Sequence, residues 1–282
     1  MKNSKLSARA SAKKQSVKPK VVLSLSGSDP SGGAGQEADL KAYLRHGVYG
    51  LNLTTLLTVQ NSLGVQAVHP LDPDFLERQW KALFADIPPD VIKIGALGAL
   101  PMVERVAKLL NTREARHIPV VLDPVLGSTS GSPLLAARAL SLFKRKLLPR
   151  CRVVTPNLPE FETLFGPFKT TVGTTPVEKL RSLEKLPYAI LLKGGHADGP
   201  ESIDWLWDNG RLTVFRGKRL PAKNAHGTGC TLSAAIAACL GWGASLDQAV
   251  ATSKRFVEAA IREAPGLGHG QGPLNHNVGV RY

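Results

Sequence analysis

The residues of this chain best suited to chemistry lie in the turn His226-Gly227-Thr228-Gly229-Cys230. Its two glycines let the backbone approach a ligand closely, because glycine has no Cβ. The alanine-rich segment that follows predicts a helix, and the first N–H groups of a helix have no internal partner and favour an anion. Gly227, Thr228 and Gly229 are therefore candidate phosphate-binding residues. The alternative is a glycine-rich turn that only precedes a buried helix.

Cys230 falls in the first turn of that predicted helix, where the pKa of its thiol should fall. A thiolate there would accept a proton from a substrate hydroxyl, as a general base does. The alternative is a cysteine that is simply buried, which is our interpretation of Cys151 and Cys239. Three cysteines without CxxC spacing indicate neither a disulfide framework nor a zinc site. Their low, odd number is typical of the reducing cytosol, so we expect a cytoplasmic protein.

Two further segments carry polar groups that suit a metal and phosphates. Asn157 and Glu160 offer the hard oxygen atoms that hydrated Mg²⁺ prefers. Their spacing is equally that of a helix capping box, and both interpretations stay open. Lys193 ends an apolar run before two glycines and could hold a phosphate as a point charge, unless it is merely solvated.

Short apolar runs predict the strands that position these residues, at 21–25, 51–58, 91–95, 120–123, 152–155 and 189–193. Segments of helical period lie between them, at about 36–45, 73–83, 102–110, 134–148 and 176–186. This alternation predicts a mostly parallel sheet with helices on both faces. Asp208-Asn209-Gly210 predicts a hairpin between 205–207 and 212–216, hence a small antiparallel edge. Two helices, 231–240 and 246–263, would close the fold.

Polar or glycine residues lie at or just after the carboxyl ends of the predicted strands. They are Gly27, Gln60, Asp123, Asn157 and Lys193. Ligands of open α/β sheets bind along that edge. The loop after the first strand is neither a Walker P-loop nor a GxGxxG fingerprint, because the required residues are missing. Asp39 lies on the helix after that loop, where an acidic residue is most often solvated.

Charge is distributed unevenly along the 282 residues. The formal net charge is +14, from 36 Lys and Arg against 22 Asp and Glu. Residues 1–20 hold seven of the basic residues and no acidic one, so we expect a disordered basic tail before a single domain at 21–282. A transit peptide and a nucleic-acid-binding arm are the alternatives for the tail. No apolar run approaches the roughly 20 residues of a membrane helix, so we expect no membrane partner.

The order of these motifs resembles that of the hydroxymethylpyrimidine/phosphomethylpyrimidine kinases of thiamine biosynthesis, in the ribokinase-like superfamily. The matching stretches are GSDPSGGAGQEADLKAY, GVYGLNLTTLLTVQNSLGV, DVIKIGALG, VVLDPVLGSTSG, VVTPNLPEFETLFG, LLKGGH and NAHGTGCTLSAAIAA. The resemblance implies a three-layer αβα fold without a large lid domain, and a homodimer. It implies two successive ATP-dependent phosphorylations, of a pyrimidine alcohol and then of its monophosphate, with ATP and Mg²⁺ as cofactors.

The resemblance also implies roles for single residues. Gln60 would bond the aminopyrimidine, Asp39 and the Val125 backbone would orient the ring, and Gly27 would line the pocket. The implied ATP and phosphate ligands are Lys193, Thr155, Asn157 and Asp123. Glu160 and Asn157 would hold the metal, through water. Gly227, Thr228 and Gly229 would form an anion hole, with Cys230 as base where most superfamily members carry Asp.

Two departures from the family pattern bear on specificity. Ala96 stands where Met is common, which predicts a more open pocket wall. Thr129 stands where a Lys is expected, which removes one phosphate contact. Pyridoxal kinase is therefore the nearest alternative function. A non-catalytic ligand-binding protein on the same fold is an alternative of a different class.

Overall fold

The computed structural model describes residues 18–127, 135, 137–167, 175–183, 185–195, 199–220 and 225–278. Within these residues one sheet has the order β3-β2-β1-β4-β5-β6-β7-β8-β9. Its strands are β1 (Val21–Ser28), β2 (Tyr49–Asn61), β3 (Gly64–Pro70), β4 (Val91–Ile94), β5 (Val120–Leu122), β6 (Val153–Val154), β7 (Ala189–Lys193), β8 (Glu201–Asp208) and β9 (Arg211–Lys218). Residues 1–17, most of the predicted tail, lie outside the described residues, as does Thr129.

Helices cover both faces of this sheet. They are α1 (Gly35–Arg45), α2 (Pro73–Asp86), α3 (Leu100–Leu109), α4 (Leu140–Leu142), α5 (Leu158–Phe165), α6 (Pro176–Arg181), α7 (Thr228–Gly241) and α8 (Leu246–Arg262). Alternate residues of a strand face opposite layers: in β4, Val91 packs with α1, α7 and α8, whereas Ile92 packs with α2 and α3. The predicted three-layer αβα architecture is confirmed, and the described residues contain no separate lid domain.

The centre of the sheet is parallel and both edges are antiparallel. All pairings from β2 through β1 and β4 to β7 are parallel, while β8 and β9 form the predicted hairpin. β3 pairs antiparallel with β2 and was not predicted. Its seven residues are exposed or half-buried, so they lack the apolar alternation by which a half-buried strand is recognised.

The helix predicted over 134–148 is an irregular segment. Ala137–Ala139 and Leu148–Arg150 are 3₁₀ turns, and Phe143–Leu147 is a widened π turn between α4 and the second of them. Phe143, Leu147 and Leu148 of this segment all pack into the same core. Among the described residues, no helix has the length and apolarity needed to cross a bilayer.

Candidate active site

One cavity of about 910 Å³ opens along the carboxyl ends of the parallel strands. Eleven of the thirteen predicted site residues line it: Gly27, Gln60, Asp123, Val125, Asn157, Glu160, Lys193, Gly227, Thr228, Gly229 and Cys230. Asp39 and Thr155 are fully buried behind its wall. The sheet edge therefore brings together groups that are up to about two hundred residues apart in sequence.

Gly227 initiates α7 and shapes the predicted anion hole. It has a left-handed φ of 81°, and an added Cβ would lie 1.8 Å from the carbonyl oxygen of Gly33. Only glycine fits this backbone and this close approach. Thr228, Gly229 and Cys230 form the first turn of α7, where amide groups have no partner within the helix. The Thr228 amide donates to the Ala225 carbonyl at 3.2 Å, so Gly229 and Cys230 offer the amides best suited to an anion.

The anion hole lies directly beside a lysine–aspartate pair. A Cβ on Gly229 would be 3.1 Å from Nζ of Lys193 and 3.2 Å from Oδ2 of Asp123. Lys193 Nζ donates to Asp123 Oδ1 at 2.9 Å, and the Thr155 hydroxyl donates to the same oxygen at 3.2 Å. Although burial opposes its charge, Asp123 and Glu160 together raise the pKa of Lys193 above its usual range. Lys193 is therefore a permanent cation aimed at the helix start.

We expect Gly229→Ala to lower kcat about 10- to 100-fold without unfolding the protein. The φ of Gly229 suits alanine, but the added methyl would displace the Lys193 ammonium by a few tenths of an ångström or more, and small misplacements are costly in catalysis. Gly241→Ala in the same helix is the matched control, since its Cβ would make ordinary contacts at 3.6 Å and beyond. Steady-state kinetics and thermal unfolding of both variants check this. Equal kinetics in the two variants would contradict the assigned geometry.

Asn157 and Glu160 form a complete capping box at the start of α5. The Asn157 side chain accepts from the Glu160 amide and Glu160 Oε2 accepts from the Asn157 amide, both at 2.8 Å. The capping interpretation is thus confirmed, while Glu160 also lines the cavity. Burial raises the pKa of Glu160 to about 7, against the opposing effect of Lys193. The cap uses one carboxylate oxygen, which leaves Oε1 for a metal-bound water.

The expected fall in the pKa of Cys230 is wrong. Burial, reinforced by the carboxylates of Asp123 and Asp39, raises the pKa of this thiol to about 11, although Lys93 opposes the shift. The helix start alone was the basis of the prediction, and loss of solvent outweighs it. Cys230 lines the cavity, and with this pKa it is a neutral thiol at pH 7.

Asp39 is not solvated, as an acid on a helix usually is. It is fully buried and accepts from Lys93 Nζ at 2.8 and 2.9 Å and from the Ser24 hydroxyl at 2.5 Å. The Asp39 carboxylate raises the pKa of Lys93, although burial opposes this. A direct contact with a substrate ring stays a prediction. In this structure the side chain supports the wall behind Cys230.

Lys93→Met should destabilise the protein by about 3–5 kcal/mol, because it leaves the buried Asp39 carboxylate without its counter-charge. Replacing both partners, as in Lys93→Met with Asp39→Leu, should recover most of that loss, since the desolvation cost disappears with the charges. Denaturant unfolding of wild type and both variants measures the two differences. A single variant as stable as wild type would show that the ion pair is not formed.

Gln60 reaches across the cavity to the turn before α7. Its amide lies 3.1 Å from Nε2 of His226, and the same His226 nitrogen lies 2.7 Å from Oδ2 of Asp29. Hydrogen bonds from His226 and Ser31 lower the pKa of Asp29 to about 2, although burial has the largest single effect and raises it. Asp29 is therefore a carboxylate, and the pattern of residue types alone gave no reason to pair it with His226.

The far end of the cavity holds charged residues that the sequence analysis missed. Asp204 of β8 accepts from the Gly194 amide at 3.0 Å and from Lys254 Nζ at 2.7 Å. Glu258 of α8 lines the same end, and its buried Oε1 has no hydrogen-bond partner among the described residues. Lys254 lies on the buried face of α8, where residues are normally apolar, and this exception in the sequence could have indicated the site.

Solved structures of similar fold define the class of this protein. A pyridoxal kinase from Staphylococcus aureus in complex with ADP superposes with a TM-score of 0.83 at 30% identity, covering 93% of this chain and 95% of that one. Phosphomethylpyrimidine kinase from Clostridium difficile gives a TM-score of 0.71 at 34% identity, covering 86% and 99%. The fold and the cavity are those of an ATP-dependent kinase with the ribokinase-like architecture.

The family itself is shown by sequence. The family model for phosphomethylpyrimidine kinase matches residues 29–275, and the chain belongs to this family. The hydroxymethylpyrimidine/phosphomethylpyrimidine kinase of Escherichia coli is 40% identical over 90% of this chain and 96% of its own length. The thiamine biosynthesis bifunctional protein ThiED of Geobacter sulfurreducens is 42% identical, and the match spans about half of that protein, 52%. The resemblance given by the motifs is confirmed.

Proposed function

We propose that the chain uses ATP to phosphorylate 4-amino-5-hydroxymethyl-2-methylpyrimidine and then its monophosphate, in thiamine biosynthesis. The observation that carries this is that the start of α7, Lys193 and Gln60 all line one cavity. Gln60 offers an amide to a ring nitrogen, while the helix start and Lys193 offer positive charge to a transferring phosphoryl group. Such transfers depend on positioning and charge stabilisation rather than on covalent chemistry by the protein.

The two transfers make different demands on the site. The alcohol must lose a proton as its oxygen bonds to phosphorus, and Cys230 Sγ is the group we assign to accept it. The monophosphate has a second pKa near 6 and is already ionised at neutral pH, so it needs its charge neutralised more than it needs a base. Gly227, Thr228 and Gly229 serve both steps, because the phosphoryl group in transfer is anionic each time.

Mg²⁺ fits the donors at Asn157 and Glu160. Among the described residues, no cluster of three or more His, Cys, Asp or Glu could hold a metal ion. Mg²⁺ keeps several waters and is commonly held by one or two carboxylates together with the substrate phosphates. Glu160, with one oxygen outside the capping bond, would hold the ion through water, and Asp123, whose charge acts on Glu160, would share that role. The ion would neutralise the phosphates of ATP.

ATP would lie with its phosphates at the start of α7 and its nucleoside toward Lys254 and Glu258. Oε1 of Glu258 is buried and accepts no hydrogen bond from the described residues. A ribose hydroxyl or an exocyclic amine of the nucleoside would supply the missing donor. Lys193 donates to Asp123, and the Thr155 hydroxyl donates to the same Asp123 oxygen, so these two residues expected among the phosphate ligands also hold Lys193 in place. Homodimer formation, a cytoplasmic location and a single domain after a basic tail remain proposals that rest on the family and the sequence.

Pyridoxal phosphorylation is the rival activity, and a specific observation favours it. Ala96 lines the cavity where a bulkier Met is common in the family, so the wall has room for the larger substituents of a pyridine ring. We expect the pyrimidine alcohol to remain the better substrate, by at least about tenfold in kcat/KM, which is the effect of one well-placed hydrogen bond. Comparing both acceptors with wild type and Ala96→Met tests this. A preference for pyridoxal in wild type that Ala96→Met reverses would establish the rival.

A further inference from the structure

The hydrogen bonds around His226 determine which end of the Gln60 amide faces the substrate. Asp29 accepts on Oδ1 from the Ser31 amide and hydroxyl at 2.9 and 2.7 Å. Its Oδ2 accepts from the Ala34 amide at 2.9 Å and lies 2.7 Å from His226 Nε2. A carboxylate is an acceptor only, so the hydrogen between Asp29 and His226 is carried by Nε2.

This assignment restricts Gln60. His226 Nε2 carries a hydrogen and has no lone pair left, so it cannot accept a hydrogen bond from an amide NH₂ group 3.1 Å away. The oxygen and nitrogen of a glutamine amide are distinguished by their network. The arrangement that avoids two opposed donors places the Gln60 carbonyl oxygen toward His226 and its NH₂ group toward the cavity.

We propose that Asp29 and His226 are positioning residues that fix the Gln60 amide as a hydrogen-bond donor to the substrate ring. This deepens the proposed function, on which it rests, because it selects a ring with an acceptor nitrogen opposite Gln60. A ring that presents only an N–H at that place would meet another donor and be rejected. The hydrogen bond between His226 and Asp29 also ties the loop after β1 to the turn before α7.

His226→Gln and His226→Leu separate positioning from packing. The glutamine NH₂ group can replace Nε2–H toward both Asp29 and Gln60, so KM for the pyrimidine alcohol should stay within about threefold of wild type. Leucine fills the space without a donor, and KM for the alcohol should rise about tenfold or more, as for a lost hydrogen bond, while KM for ATP changes by less than about threefold. His276→Gln is the matched control: His276 is equally buried, bonds Thr231 of α7, and lies outside the cavity wall.

Gln60→Glu tests directly whether residue 60 donates a hydrogen bond to the substrate ring. This test does not depend on the folding of the His226 variants. A carboxylate still accepts from His226 but cannot donate to the ring, so binding of the pyrimidine alcohol, measured by calorimetry without ATP, should weaken about tenfold or more. Unchanged binding by Gln60→Glu, or an unchanged alcohol KM in folded His226→Leu, would overturn the proposal. If wild type instead prefers pyridoxal, the proposed function fails, and the same variants test the positioning with pyridoxal as the acceptor.

Discussion

Cys230→Ala is expected to slow phosphorylation of the pyrimidine alcohol by about 10²–10⁴, the range that general-base catalysis contributes. Phosphorylation of the monophosphate should fall by less than about tenfold, because that acceptor has no proton to lose at neutral pH. Each purified acceptor is assayed separately at saturating ATP. An equal loss in both steps would rule out Cys230 as the base and leave it a wall residue.

The raised pKa of Cys230 makes this prediction sharper, because it specifies a pH dependence. A thiol with a pKa of about 11 is almost fully protonated at pH 7. Raising the pH increases the thiolate fraction, so the ratio of the alcohol rate to the monophosphate rate should rise by about tenfold per pH unit between 7 and 9.

Cys230→Asp and Cys230→Ser are the matched variants for that profile. An aspartate carboxyl has an ordinary pKa several units below that of a thiol, so even with the upward shift that burial causes here the ratio should level off at a lower pH than in wild type. Serine, which does not ionise in this range, should give a flat ratio at the low alcohol rate of Cys230→Ala. A flat ratio in wild type would show that the thiolate is not the proton acceptor.

Lys193→Met should reduce kcat for both acceptors by about 10²–10³, the effect of losing one preorganised group that stabilises transition-state charge. The methyl thioether fills the same volume and removes the ammonium beside Gly229. Because the Asp123 carboxylate then faces the phosphates unneutralised, KM for ATP should rise as well. The measurement is steady-state kinetics of both steps, with kcat referred to the folded fraction found by thermal unfolding.

Lys193→Arg keeps the positive charge and should lose less than about tenfold. Lys81→Met is the surface control, since Lys81 is 70% exposed and pairs only with Glu77 on its own helix among the described residues. A loss confined to one acceptor in Lys193→Met would contradict a shared anion site. A loss as large in Lys193→Arg would point to the shape of the side chain instead of its charge.

The sequence predicted the parts of the fold whose burial pattern is regular. Buried runs such as 21–25 and 189–193 gave their strands directly, because parallel central strands are apolar on both faces. β3 was missed, since none of its residues is fully buried and it pairs only with β2 among the described strands. The irregular segment around Phe143 was also missed, because an apolar helical period does not distinguish a regular α-helix from a mixture of 3₁₀ and π turns.

The candidate site was likewise predicted in part: its residues at strand ends were found, but their surroundings were not. Residues at strand ends, such as Lys193 and Asp123, were found because the carboxyl edge of a parallel sheet collects ligands. The electrostatic environment of each group could not be predicted from the sequence. The pKa of Cys230, for example, depends on how deeply the thiol is buried and on its distances from Lys93 and from the Asp123 and Asp39 carboxylates. The pairing of Asp29 with His226, 197 residues apart, depends on the folded loop alone.

The central claim, that one cavity performs two successive phosphoryl transfers on a pyrimidine, is tested most directly by following the products over time. Wild-type protein is incubated with ATP, Mg²⁺ and the pyrimidine alcohol, and phosphorus NMR resolves the monophosphate from the diphosphate. The account predicts that the monophosphate appears first and is then converted to the diphosphate, and that Lys193→Met slows both phases. Absence of any phosphorylated pyrimidine, or a monophosphate that accumulates without further conversion, would contradict it.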